Sequence, residues 1–209
     1  AGVFDLSFLR CVPNLVIMAP ADETECRRLL TTAYRHNGPA AVRYPRGTGT
    51  GILPGSRLEE LPLGKAELRR TGRRVAILAF GSCLEAAEQA GKVLDATVVN
   101  MRFVKPLDTD LIMAMAQEHE LLVTVEENAI AGGAGAAVSE LLAEHGIGIP
   151  VQNLGIPDQF IAHGNRAQQL AQCGIDATGI ETAIATHATN IDALPTEQQA
   201  ANERLIAHT

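Results

Sequence analysis

The sequence has no tryptophan, and aromatic residues fill only 3% of its 209 positions. Whatever core it builds must therefore be aliphatic and rich in alanine. Basic residues are outnumbered, 17 Lys and Arg against 24 Asp and Glu for a net charge of −7. That excess argues against a nucleic-acid partner, whose phosphates need a basic stripe to neutralise them. The longest apolar stretches, Leu15–Ala19 and Val75–Gly81, fall far short of the roughly 20 residues that cross a bilayer. No membrane partner is expected. The four cysteines (Cys11, Cys26, Cys83, Cys173) lie far apart, with no C-x-x-C pair, which reads as a reduced, cytoplasmic protein. The histidines (His36, His119, His145, His163, His187, His208) form no H-x-x-x-H or H-E-x-x-H set, so no metal ligands are expected. No basic start leads into an apolar run, so no signal peptide is expected.

What is present is ordinary for a soluble globular chain. Apolar residues at 46% and charged residues at 20% exclude disordered and fibrous classes. The length suffices for one large domain or two small ones. The chain opens Ala1-Gly2-Val3-Phe4-Asp5-Leu6-Ser7-Phe8-Leu9 without Met. Phe4–Leu9 reads as a packed helical turn whose apolar side chains need a cover, so a chain beginning in mid-domain is expected.

The pattern of elements is alternating. Leu15–Ala19 is a continuous apolar run closed by Pro20, as in a strand buried on both faces. Asp22 with Glu25 three residues on fits a capping box that opens a helix to about His36. Ala40–Tyr44 is a second short strand, and the Gly- and Pro-rich stretch 47–62 marks a domain boundary. Beyond it come strands over Arg74–Phe80, Thr97–Phe103, Leu121–Val125 and Val151–Leu154. Helices are expected over Glu85–Leu94, Asp108–Gln117 and Gly133–His145, with Ala86, Ala90, Val93 and Leu94 facing inward on the first. Helical pieces near Arg166–Cys173 and Asp176–His187 close the unit, and a polar tail with Pro195 follows Ala188 as a loose helix or disordered segment. Alternating strands and helices predict an α/β fold: two linked three-layer units with mainly parallel sheets, the first incomplete. No internal repeat is present.

Ligands of open parallel sheets bind at the carboxyl ends of strands. Two arginines stand there in Arg43-Tyr44-Pro45-Arg46-Gly47, around a bend that Pro45 stiffens. They can converge on one anion, with phosphate the natural candidate because guanidinium offers planar paired donors. The alternative is that both pair with carboxylates. Glu126-Glu127-Asn128 ends another strand; adjacent carboxylates could serve acid–base chemistry, but neighbours in an extended chain point to opposite faces. One of them is expected to cap the following loop. Gly132-Gly133-Ala134-Gly135 precedes a helix and could cradle an anion, yet Val138 stands where a dinucleotide fingerprint needs its third glycine. Close packing against another helix is the expected reason for those glycines. Cys83 lies near a helix start with no histidine close in sequence and reads as a packing residue. His163, in the loop Asp158–Gly164, reads as a structural contact.

Taken in order, the words Ala1–Arg10, Met18-Ala19-Pro20, Ala41–Gly47, Met101–Asp108, Val123–Asn128, Gly132–Gly135 and Asp158–Gly164 closely resemble the 1-deoxy-D-xylulose-5-phosphate synthases. The resemblance runs to about Ala188 and matches roughly the final third of those enzymes. It implies that residues 1–55 end a transketolase-like pyrimidine-binding domain. Residues 61–188 would form a transketolase-type C-terminal domain, and 189–209 a polar tail. The implied activity is a transferase of isoprenoid precursor and thiamine biosynthesis, dependent on thiamine diphosphate and Mg2+. It condenses pyruvate with glyceraldehyde 3-phosphate, releasing carbon dioxide, with the cofactor as electron sink. Arg46 would grip the triose phosphate and Arg43 would assist or buttress the turn. The family's Gly-Asp-Gly metal and diphosphate site, its ring-activating glutamate and the His ahead of Ala1-Gly2 are absent from this sequence. The resemblance therefore implies no catalytic or cofactor-binding residue here and no activity of this chain alone. Its partners would be the upstream part of the same enzyme and a second copy, as a homodimer. The beta subunits of 2-oxo-acid dehydrogenases share such a two-domain tail, but have less need of a phosphate-gripping arginine pair. A non-catalytic dimerisation module is the third reading.

Overall fold

The structure is a computed structural model that describes residues 2–53, 55 and 57–192. Eight strands, seven α-helices and a 3-10 turn at Gly81–Cys83 follow one another among the described residues. In chain order the strands and α-helices are α1 (Asp5–Leu9), β1 (Val16–Met18), α2 (Glu23–Arg35), β2 (Ala40–Val42), β3 (Glu67–Arg70), β4 (Val75–Ala79), α3 (Leu84–Leu94) and β5 (Thr97–Asn100). There follow β6 (Phe103–Lys105), α4 (Thr109–Glu118), β7 (Leu121–Ala129), α5 (Ala134–Glu144), β8 (Val151–Ile156), α6 (Arg166–Gln172) and α7 (Ala177–Asp192). The polar tail expected after Ala188 lies outside the described residues from position 193 onward.

The larger sheet has the order β3-β5-β4-β7-β8, parallel except for the antiparallel edge strand β3. Its central strands β5, β4 and β7 are buried on both faces, and their side chains alternate between two cores. Ile77, Ala79, Val98, Val123 and Val125 meet Leu84, Ala87 and Ala90 of α3 and Ile180 and Ile184 of α7. Ala76, Leu78, Val99 and Leu122 meet Ile112 and Met115 of α4 and Val138 and Leu142 of α5. This is the three-layer α/β arrangement that the alternating pattern predicts.

The smaller sheet is β2-β1-β6. β1 and β2 are parallel, but β6 joins β1 antiparallel from beyond the Gly- and Pro-rich stretch. The two units are thereby stitched together: Ile17 and Ala19 share a core with Ala76, Leu78 and Met101. The single strand expected over Thr97–Phe103 is in fact two. Arg102 takes a left-handed backbone (φ 58°), which turns the chain out of one sheet and into the other.

Other differences have plain causes. β3 carries Glu and Arg rather than apolar residues, because an edge strand needs no second buried face. β7 runs four residues past Val125, since Glu126, Glu127 and Asn128 find partners on either side of the strand. On α3 the inward face is Leu84, Ala87, Ala90 and Gly91, whereas Val93 is 69% exposed. α1 is anchored within this chain, for Leu6 is buried and its N–H donates to Asn128 Oδ1 (3.2 Å). Phe4 and Phe8 remain exposed. Among the described residues no helix is long and apolar enough to cross a membrane.

Candidate functional site

The order of the larger sheet reverses at β4: β5 lies on one side of it and β7 on the other. Ligands of such sheets gather outside the carboxyl ends of the strands at this point. A cleft of about 320 Å³ opens there. One wall is Pro20, Ala21 and Asp22, where β1 hands over to α2. A second is Tyr44, Pro45 and Gly47 after β2, and the third is Ser82, Glu85 and Arg166 from the larger unit.

Asp22 caps α2 as the sequence predicts, accepting from Glu25 N–H (2.8 Å). Glu25 does not close the expected capping box, because its carboxylate takes the N–H of Ala21 rather than that of Asp22. Glu25 is only 7% exposed, and its carboxylate accepts from Ala21 N–H (2.8 Å), Asn100 Nδ2 (2.9 Å) and Arg102 Nε (2.6 Å). Arg102, itself 9% exposed, also donates to Glu67 (2.6 Å). The left-handed turn at Arg102 thus delivers a guanidinium to the start of α2, where Glu25 in turn holds the N–H of Ala21 in the cleft wall.

The two arginines of the Arg43–Gly47 turn do not share an anion site here. Arg43 donates to Glu127 O (2.6 Å), Gly2 O (3.0 Å) and Asp5 Oδ2 (3.3 Å). Its side chain is 13% exposed, so it ties the turn to β7 and to α1. Arg46 stands exposed on the same turn, with no hydrogen-bond or ion-pair partner among the described residues. One arginine builds the turn; the other is left facing outward.

Glu126 and Glu127 point to opposite faces of β7, as an extended chain requires. Glu126 fills the cradle of α5, taking Ala134 N–H (2.7 Å) and Gly135 N–H (2.8 Å) on its two oxygens. A side-chain methyl at Gly133 would lie 2.4 Å from Glu126 Oε2, and one at Gly135 would lie 2.3 Å from Thr124 Oγ1. Those glycines make room for strand side chains, not for another helix as expected. Burial pushes the Glu126 carboxyl up to about 7, opposed by its two backbone donors and by Arg10 and Arg43. Glu127 accepts from Arg166 Nη2 (2.6 Å) and from Ser82 Oγ (2.9 Å). Cys83 is buried, and loss of hydration, with Glu127 nearby, raises its thiol to about 12. That agrees with packing rather than nucleophilic use. His163 is exposed in its loop.

Sequence reasoning passed over Arg102 and Arg166. Both carried a signal: Arg102 interrupts an apolar strand, and Arg166 puts positive charge at a helix start, where the dipole opposes it. A group in so unfavourable a place is held by a specific carboxylate.

Residues 64–180 match the transketolase C-terminal domain family, and residues 1–50 match the transketolase pyrimidine-binding domain family. The chain belongs to the transketolase family. Among named relatives of this transketolase-family chain, the 1-deoxy-D-xylulose-5-phosphate synthase of Thiobacillus denitrificans is 64% identical over 184 residues, covering 88% of this chain and 30% of that protein. The synthase of Nitrosococcus oceani is 59% identical over 187 residues, covering 90% of this chain and 29% of that protein. The chain thus spans under a third of the length of the curated relatives it matches. A solved split-gene transketolase, described as an inactive β4 tetramer, superposes with a TM-score of 0.74 at 29% identity, over 88% of this chain and 61% of that one. Transketolase from Campylobacter jejuni superposes at 0.59 with 18% identity, over 88% of this chain and 28% of that one, a likeness of fold alone.

Proposed function

We propose that this chain works as the carboxyl-terminal part of a 1-deoxy-D-xylulose-5-phosphate synthase. The reaction is the condensation of pyruvate with glyceraldehyde 3-phosphate, releasing carbon dioxide. In this reading residues 1–55 belong to the pyrimidine-binding domain and 61–188 to the C-terminal domain. The single observation that carries it is Arg46: a guanidinium left exposed, with no partner among the described residues, on a turn whose other arginine is spent on anchoring. A group so placed is ready for an anion, and the triose phosphate is the substrate that brings one. The high identity to named synthases supports the same reading.

The thiamine diphosphate and Mg2+ of such an enzyme do not fit residues present here. The backbone cradle at the start of α5 is filled by Glu126. Among the described residues no group of three or more His, Cys, Asp or Glu could hold a metal ion. The part assigned to this chain is therefore substrate orientation, with cofactor chemistry belonging to the upstream part of the enzyme. The chain alone is inactive in this reading, and a second copy completes a homodimer. A split-gene transketolase described as an inactive β4 tetramer offers a precedent. The test mixes this chain with the upstream domains of a relative, thiamine diphosphate and Mg2+, and assays release of carbon dioxide from pyruvate. Release that depends on both glyceraldehyde 3-phosphate and this chain supports the reading; release that proceeds equally without this chain contradicts it.

A further inference from the structure

The segment after Arg46 is Gly47-Thr48-Gly49-Thr50-Gly51, exposed throughout. Three glycines in five residues leave such a segment with little conformational preference of its own. It is nevertheless held. Glu23, the first residue of α2, accepts from Thr50 Oγ1 (2.6 Å) on one carboxylate oxygen and from Gly51 N–H (2.8 Å) on the other. Gly49 leaves the space that this carboxylate fills, because a side-chain methyl there would lie 2.0 Å from Glu23 Oε1. The bond from Thr50, then that from Gly51, holds the Glu23 carboxyl below its ordinary range, so it is ionised at neutral pH. At the other end of the turn Arg43 is tied to Glu127, Gly2 and Asp5. Gly47 packs beside Arg166, whose Cδ a side-chain methyl would meet at 3.7 Å. Arg46 thus sits midway on a span pinned at both ends, one pin from each flanking element.

We propose that Glu23 is a positioning residue for the phosphate-gripping turn: its carboxylate latches the 47–51 segment so that Arg46 is oriented before substrate arrives. The proposal rests on the reading that Arg46 binds the triose phosphate. A guanidinium on a free glycine-rich loop must be ordered at the moment of binding, and that entropy is subtracted from affinity. A latched loop has already been ordered by folding. The latch also satisfies both oxygens of Glu23 with loop donors, so an acidic residue near the turn does not compete for Arg46.

The test uses the complete enzyme, this chain joined to its upstream domains, with Glu23→Ala, Glu23→Gln, Thr50→Val and Arg46→Ala. Glu23→Ala is expected to raise KM for glyceraldehyde 3-phosphate about tenfold, with kcat and KM for pyruvate unchanged within about twofold. Glu23→Gln keeps one acceptor and should restore most of the loss. Thr50→Val alters only the exposed loop, removes one of the two bonds and should raise the same KM about threefold, which keeps the test open if Glu23→Ala folds poorly. Trypsin should cut the Arg46–Gly47 bond about fivefold faster in Glu23→Ala, as the freed loop fits a protease better. An unchanged cleavage rate, or equal effects on both substrates, overturns the latch. If Arg46→Ala separates the two substrates and Glu23→Ala does not, the latch alone is wrong. If Arg46→Ala fails to separate them, the phosphate reading fails and the proposal falls with it.

Discussion

A buried ion pair reinforces the join that β6 and the shared core make between the two sheets, and Glu25→Gln measures it. Glu25 and Arg102 are 7% and 9% exposed, and Arg102 Nε meets Glu25 Oε1 at 2.6 Å. The same carboxylate accepts from Asn100 Nδ2 at 2.9 Å and from Ala21 N–H at 2.8 Å. Replacing the carboxylate by an amide keeps the volume but removes the charge and turns an N–H2 group toward donors. Leaving one member of such a pair unmatched costs about 3–5 kcal/mol. Arg102 retains Glu67 at 2.6 Å, which places the expected loss at the lower end, about 3 kcal/mol. The left-handed backbone of Arg102 points the same way, since that conformation costs a non-glycine residue about 1–2 kcal/mol and must be outweighed by what the side chain gains. In urea unfolding the midpoint should fall by about 1–2 M, with little change in slope. In a thermal scan the loss corresponds to about 6–12 °C. Adding Arg102→Met to Glu25→Gln should recover at least about 1 kcal/mol, because it removes a buried guanidinium left with Glu67 alone. A loss below about 1 kcal/mol for Glu25→Gln would refute the reasoning, for it would mean that water already screens the pair.

Further consequences concern single groups. The folded Glu126 carboxyl is raised to about 7 from an ordinary 4.5, so the folded chain holds a proton that the unfolded chain has released. Its contribution to stability is full below about pH 4.5, falls as pH rises through 7, and then levels off. Glu126→Gln should abolish that component of the pH dependence between pH 5 and 8 while lowering stability by about 1–3 kcal/mol through loss of one acceptor at the start of α5, which paired denaturation curves at the two pH values would check. Gly133→Ala should be strongly destabilising, since its methyl would press within 2.4 Å of Glu126 Oε2; a midpoint equal to that of the parent would contradict the packing. Iodoacetamide at pH 8 should alkylate exposed Cys11 and spare buried Cys83, whose thiol is raised to about 12, as peptide mass mapping would read directly.

The sequence made the layers legible because their cause is local. Apolar runs such as Leu15–Ala19 and Val75–Ala79, bounded by Pro or Gly, specify strands buried on both faces whatever surrounds them. The cap at Asp22 was equally plain. What could not be read is where one element leaves a sheet for another. Nothing in Thr97–Phe103 other than an arginine in an apolar run marks the break at Arg102, and its partner Glu25 lies 77 positions away. The site divides in the same manner. Arg43 and Arg46 stand out by type and position, but only the long-range contacts of Arg43 with Glu127 and Asp5 separate an anchor from an exposed guanidinium. The glycines before α5 were visible as a cradle, whereas their occupant, eight and nine residues upstream in β7, was not. The spacing of residues alone names no reaction; the match with the synthases shows the family, and the reaction stays a proposal.

Arg46 is proposed to receive the phosphate of a three-carbon substrate. The direct measurement is the ratio of KM values for glyceraldehyde 3-phosphate and pyruvate in the complete enzyme, before and after Arg46→Ala. Loss of a charge-assisted contact to phosphate predicts a rise of about tenfold to a hundredfold in the first KM with the second unchanged. An equal rise in both, or no rise in either, would contradict the claim.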